Sequence, residues 1–242
     1  MENLEPLFGI KEKECVSIIG SGGKTSLMWY LGEAFRCQRV LVGTTTKISL
    51  PSNQLYDRLF LDDYPSGKEG LGISLIGKIS SFGKLIAPPL EVLSQNVSYY
   101  DKVLLEADGS KQRPLKGWAD FEPVVLPETS LTIGVIPIKV IGKVISGKTV
   151  HRLAEFTDLT GLVDGDNIDE LTLAALVNHK RGIWNKARGR RCLLINQVEN
   201  PAELEQAKAV VQGLSPEILA TIERVIACSL KERLGEIIWQ RV

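Results

Sequence analysis

A short apolar run, Val16 to Ile19, stops at Gly20-Ser21-Gly22-Gly23-Lys24-Thr25, and an amphipathic stretch follows at once, with Leu27, Met28, Leu31 and Phe35 on one face of a helix from Lys24 to Arg36. Val40 to Val42 is a second short run, closed by Gly43 and three threonines. Strand, glycine turn, helix, strand is the opening of a parallel sheet, because parallel neighbours need a crossover connection, usually a helix. Few chains that begin this way can be all-helical or all-β.

The same alternation continues. Ile73–Ile76, Val103–Leu105, Leu131–Ile136, Cys192–Ile195 and a final run at Val225–Cys228 read as buried strands, and Leu90–Tyr100 and Pro201–Gln212 as helices. Pro137 to Thr149 is rich in Gly and Lys and reads as a loop or irregular hairpin. His151–Leu162 and Ile168–His179 read as helices, the second capped by Asp166 or Asn167. The expectation is α/β: one P-loop NTPase-like domain over residues 1–242, with a mostly parallel central sheet flanked by helices and a helical insert or small lobe at 137–190. Acidic and basic residues balance at 29 each, which offers no case for a nucleic-acid or membrane partner. No apolar run approaches the roughly 20 residues that cross a bilayer, and no basic start leads into an apolar stretch, so a cytoplasmic protein is expected. Cys15, Cys37, Cys192 and Cys228 form no Cys-x-x-Cys pair and adjoin apolar runs, so buried, reduced thiols are expected.

A glycine-rich turn between a buried strand and a helix brings backbone N–H groups to one point with a helix N-terminus behind them. Gly20, Ser21, Gly22, Gly23, Lys24, Thr25 and the following Ser26 are therefore expected to hold the phosphates of a nucleoside triphosphate, ATP or GTP, with Lys24 along the outer phosphates and the Thr25 hydroxyl on Mg²⁺. The spacing is Gly-x-x-Gly-Lys-Thr. The first glycine of the longer Gly-x-x-x-x-Gly-Lys-Ser/Thr form would fall on Ile18. The shorter form resembles the phosphate loop of Mur ligases.

A second strand ends in Glu106-Ala107-Asp108-Gly109. Its acids are candidates for holding Mg²⁺, and with Lys24 for catalysis, while the Gly109 N–H would approach the terminal phosphate. Lys111, Arg113 and Lys116 follow and could complement phosphates or an anionic substrate. Thr44, Thr45, Thr46 and Lys47 end another strand, at the edge where parallel sheets bind ligands. One hydroxyl there, Thr45 in this assignment, would reach Mg²⁺ or the terminal phosphate; a plain turn role is the alternative. Asn196-Gln197-Val198-Glu199 resembles the Asn-Lys-x-Asp element that reads guanine, with Asn196 and Glu199 in the matching places and Gln197 replacing the lysine.

Taken together, Ile18 to Ser26, Gly43-Thr44-Thr45-Thr46, Glu106 to Ser110, Pro114-Leu115-Lys116, His151-Arg152, Leu159-Thr160-Gly161 and Gly165-Asp166 resemble the YqeC family. Lys47 departs from that pattern, which has histidine there. The resemblance implies an accessory role in maturing a selenium-dependent molybdenum hydroxylase, with that hydroxylase or its maturation factors as partners. Three functions follow from these residues: a Mg-dependent NTPase acting as an accessory factor, an NTP-dependent ligase or kinase acting on a small acid, and a non-catalytic nucleotide-binding module.

Overall fold

The computed structural model describes residues 1–65 and 69–241. Its centre is a large, mostly parallel sheet. The strands are β1 (Glu14–Gly20), β2 (Arg39–Thr44), β3 (Arg58–Leu61), β4 (Gly72–Ile79), β5 (Lys102–Glu106), β6 (Leu131–Pro137), β7 (Arg190–Asn196), β8 (Arg224–Ser229) and β9 (Leu234–Gln240). Across the sheet they run β9-β8-β7-β6-β1-β5-β2-β4-β3, and every neighbouring pair is parallel except β8–β9. Two short strands, Lys47–Ser49 and Lys84–Ile86, extend one edge as an antiparallel flap on the end of β4.

Strands β1, β5 and β6 are buried along their whole length. That is why they read as unbroken apolar runs: in a parallel sheet covered on both faces there is no solvent side to carry polar residues. In β1, Val16 and Ile18 pack against Leu27, Met28 and Leu31 of helix α1 (Lys24–Ala34). Cys15 on the opposite face joins Leu93 of α2 (Leu90–Val97). Ile19, on that same opposite face, joins Phe156 of α3 (Leu153–Thr160), Leu173 and Leu176 of α4 (Glu170–Asn178), and Val210 of α5 (Pro201–Gln212). The helices of the 137–190 segment therefore share the core of the sheet.

Several expectations change. The strand at Val225–Cys228 is not the last: β9 follows and turns back antiparallel, half-buried and without a strong apolar run. Strand β3 carried too mixed a pattern to be read at all. Helix α4 is capped by Asp169, not Asp166 or Asn167, in a reciprocal box with Thr172. His151 precedes its helix and lies in a two-residue parallel ladder, Val150–His151 on Leu115–Lys116. Cys37 is exposed, whereas the other three cysteines are buried; the apolar residues near it end at the helix C-terminus and leave it outside the core.

The order of connections selects one place on this sheet. From β1 the chain crosses by α1 to β2, β5 later fills the gap between them, and β6 then adds on the other side of β1. At such a reversal the connections leave a crevice beyond the carboxyl ends of the strands. Here those ends are Gly20, Glu106 and Pro137.

Candidate functional site

The crevice is built on the glycine turn. Gly20, Gly22 and Gly23 have φ of 98°, 78° and 142°, where side chains are strained. The turn also has no space for one: a Cβ on Gly20 would strike the Val135 carbonyl, and one on Gly23 would strike the Asn196 amide. Ser21 N–H donates to Val135 O at 2.9 Å, and Asn196 Nδ2 donates to Gly22 O at 2.8 Å. The loop is thus pinned from β6, which flanks β1, and from β7 beyond it. The N–H groups of Gly22, Gly23, Lys24 and Thr25 meet no acceptor among the described residues. They open the N-terminus of α1, where backbone donors and the helix dipole favour an anion.

The acidic turn after β5 closes against this loop. Lys24 Nζ donates to Gly20 O at 2.7 Å and lies 3.3 Å from Asp108 and 3.6 Å from Glu106. Burial opposes the charge on Lys24, but the Asp108 and Glu106 carboxylates outweigh it and raise its pKa. Glu106 stands at the mouth, and its carboxylate accepts the Thr25 hydroxyl at 2.6 Å. That pair of oxygen donors is of the type Mg²⁺ takes. Ser26 is exposed on the first turn of α1.

Asp108 behaves differently from Glu106. It is fully buried and accepts from Gly20 N–H at 3.0 Å, Trp118 Nε1 at 2.9 Å and Lys116 Nζ at 3.1 Å, in addition to Lys24. Burial alone would raise its pKa. Lys24 and Lys116, then the Gly20 N–H and the indole, overcome that and hold it below the usual carboxylate value. With donors on every side it has no oxygen left to hold an ion directly, so the structure makes it a brace for the loop. Lys116, expected as a cation for phosphate or substrate, is fully buried and spans Asp108, Gly109 O and Glu122. Glu122 in turn accepts Arg152 at 2.9 Å. The sequence carries no local signal for Glu122, and its one signal for the Trp118 hydrogen bond is that a buried indole needs an acceptor.

The remaining expected residues fall around this centre. Thr45 N–H and the Thr44 hydroxyl both bond the Glu106 carbonyl, and the Thr45 hydroxyl donates to Val124 O at 2.7 Å, which is the turn role. Gly109 N–H has no acceptor among the described residues. Asn196 is buried and takes Leu230 N–H as well as holding Gly22, so it ties the loop to the chain after β8. Glu199 is exposed and ion-paired with Lys139, which a base would have to displace. Two surface cavities, about 450 and 300 Å³, both touch Phe121, and neither is lined by the glycine turn.

His151 adds a pH dependence. Burial, then the charges of Lys116, Arg152 and Lys111, depress its pKa from 6.5 to about 4, with Glu122 opposing. The unfolded chain binds the proton more tightly, so His151 contributes nothing adverse above about pH 6.5 and lowers stability as pH falls from there toward about 4. His151→Gln is expected to flatten that part of the stability profile. An unchanged slope in denaturant melts between these pH values would show that His151 is not the group responsible.

The resemblances to known proteins cover this site. A family model described as "YqeC protein" matches residues 16–154, which include the glycine turn, the three threonines, the acidic turn and His151. A curated relative from Escherichia coli (strain K12), described as "Uncharacterized protein YqeC", is 31% identical over 221 residues, 85% of this chain and 83% of the relative. No solved structure matches the chain. Since the matched residues carry the braced turn from β1 through the His151 ladder and span most of both chains, this protein belongs to the YqeC family.

Proposed function

We propose that the Gly20–Thr25 turn binds the phosphates of a nucleoside triphosphate with Mg²⁺ and that the chain is an NTPase. The observation that carries this is the run of backbone N–H groups from Gly22 to Thr25 that meet no acceptor among the described residues, beside a buried Lys24 and the Thr25–Glu106 pair. Lys24 would give up part of its contact with Gly20 O to reach the outer phosphates. Thr25 and Glu106 would hold Mg²⁺, which offsets phosphate charge when bound. Asp108 would act through Gly20 and Lys24, fixing the cradle before substrate arrives. Calorimetric titration of ATP and GTP, with and without Mg²⁺, tests the reading. Absence of binding by both nucleotides at millimolar concentration sinks it, and phosphate release without any acceptor separates hydrolysis from group transfer.

Glu106→Gln keeps the shape of the mouth and removes its charge. Near a triphosphate of about four negative charges that carboxylate repels unless a cation bridges the two. The variant is therefore expected to bind metal-free nucleotide at least as well as the parent and to lose on the order of tenfold of the gain that Mg²⁺ gives. If both proteins respond to Mg²⁺ alike, the metal is held elsewhere. The client role, maturation of a selenium-dependent molybdenum hydroxylase, rests on the family resemblance. Activity of that hydroxylase is expected to fall in cells lacking this chain, and unchanged activity argues against it.

A further inference from the structure

Immediately after Asp108 the chain makes a turn that the phosphate cradle does not use. Arg113 N–H closes it on Ser110 O at 2.9 Å, while the N–H groups of Gly109, Ser110, Lys111 and Gln112 meet no acceptor among the described residues. Lys111 and Gln112 are both left-handed, with φ of 49° and 61°. Two consecutive non-glycine residues in that region are uncommon, and successive N–H groups in such a turn form a concavity suited to an anion.

The side chains around the turn agree in sign. Lys111 is exposed, and neither it nor Arg113 enters a salt bridge among the described residues. Arg113 donates from one nitrogen to Val150 O at 3.2 Å, which anchors the turn to the short ladder and leaves its other donors without a partner among the described residues. On that ladder His151 is the register partner of Lys116. Register partners in a parallel pair project to the same face, and Lys116 reaches the Gly109 carbonyl at 2.7 Å. His151 therefore stands on the Gly109 side. Its ring is mostly buried yet has no hydrogen-bond partner among the described residues. The charges that act on it are Lys116 from its own ladder, Arg152, and Lys111 from the turn, with Glu122, the ion-pair partner of Arg152, opposing them.

We propose that the Gly109–Arg113 turn and His151 form a second oxyanion site, beside the phosphate cradle, that binds the carboxylate or phosphate group of a small acid. Lys111, Arg113 and the free N–H groups hold the anion. The His151 ring supplies a further hydrogen bond to the anion. The site adjoins the cradle at Asp108, which precedes the turn and binds Gly20 N–H. Its place beside a bound nucleotide rests on the triphosphate reading; its affinity for an oxyanion does not.

The chain has two histidines, His151 and His179, so imidazole proton resonances report on the site directly, with His179→Gln giving the assignment. Inorganic phosphate, used as the probe, is expected to shift the His151 signal and raise its pKa while leaving His179 unmoved. The effect should persist with Mg²⁺ and a saturating non-hydrolysable ATP or GTP analogue in the cradle. Lys111→Gly, which suits the left-handed backbone and removes only the charge and stem, should weaken phosphate on the order of tenfold. The proposal is overturned by an unresponsive His151, by a response that vanishes once the analogue is bound, or by equal affinity in Lys111→Gly. If the analogue itself does not bind, the triphosphate reading fails. The phosphate response and its loss in Lys111→Gly then decide the oxyanion site independently.

Discussion

Asp108→Asn is expected to be among the most destabilising single changes in this chain, at about 3–5 kcal/mol, the range for breaking a buried ion pair from one side. Every neighbour of the Asp108 carboxylate is a donor: Gly20 N–H, the Trp118 indole, Lys24 and Lys116. An amide offers one acceptor oxygen and turns an NH₂ toward donors that then go unsatisfied. Lys116 would keep Glu122, and Lys24 would keep Glu106, so the fold is weakened without being abolished. Because the Asp108 pKa is lowered in the fold, its contribution is complete above the unfolded carboxylate value, about 3.9, and is lost as pH falls through the lower folded value. The difference between parent and variant should thus be constant above about pH 5 and shrink under stronger acid. Urea melts at pH 7 check the size. A loss below about 1 kcal/mol, the scale of an ordinary exposed hydrogen bond, would mean that Asp108 is not the brace of the loop.

Lys24→Ala is expected to have the largest effect on nucleotide binding. Charge-assisted contacts contribute on the order of 1.5–3 kcal/mol each, so at least tenfold of affinity should go with the ammonium. The change also removes a counter-charge from the acidic turn. Asp108 retains Lys116, so the cost to stability should stay below the about 3–5 kcal/mol of a fully broken buried pair. Affinity and stability must therefore be measured together, below the melting temperature of the variant. A stable Lys24→Ala protein that binds MgATP and MgGTP as tightly as the parent would remove the glycine turn as the phosphate site. The two substitutions separate the two roles: Asp108→Asn should act mainly on the fold, Lys24→Ala mainly on the ligand.

What the residues alone determine is whatever depends on near neighbours. The turn from Gly20 to Thr25 is set by a buried strand, glycines in left-handed conformations and a helix-forming run, all within one short stretch. Helix α5 is equally local, with Asn200 capping it and Pro201 at its first position. The parallel sheet follows from covered apolar strands alternating with helices. The half-buried edges could not be read that way. Strands β3 and β9 owe their place to pairing with β4 and β8, and their side chains carry little periodic signal of it.

The division of labour among the charges was decided only by tertiary structure. Glu106 and Asp108 lie two positions apart and look equivalent as carboxylates, yet one ends at the mouth beside Thr25 and the other is sealed among four donors. Lys111, Arg113 and Lys116 look like one basic stretch, yet Lys116 is drawn wholly inside to join Asp108 and Glu122. Asn196 holds Gly22 across a separation of 174 residues. A charged or amide side chain is at home in water or in a fully satisfied interior, and its own identity does not say which. Only the fold, by supplying partners from distant segments, makes burial of the charge affordable and so assigns its role.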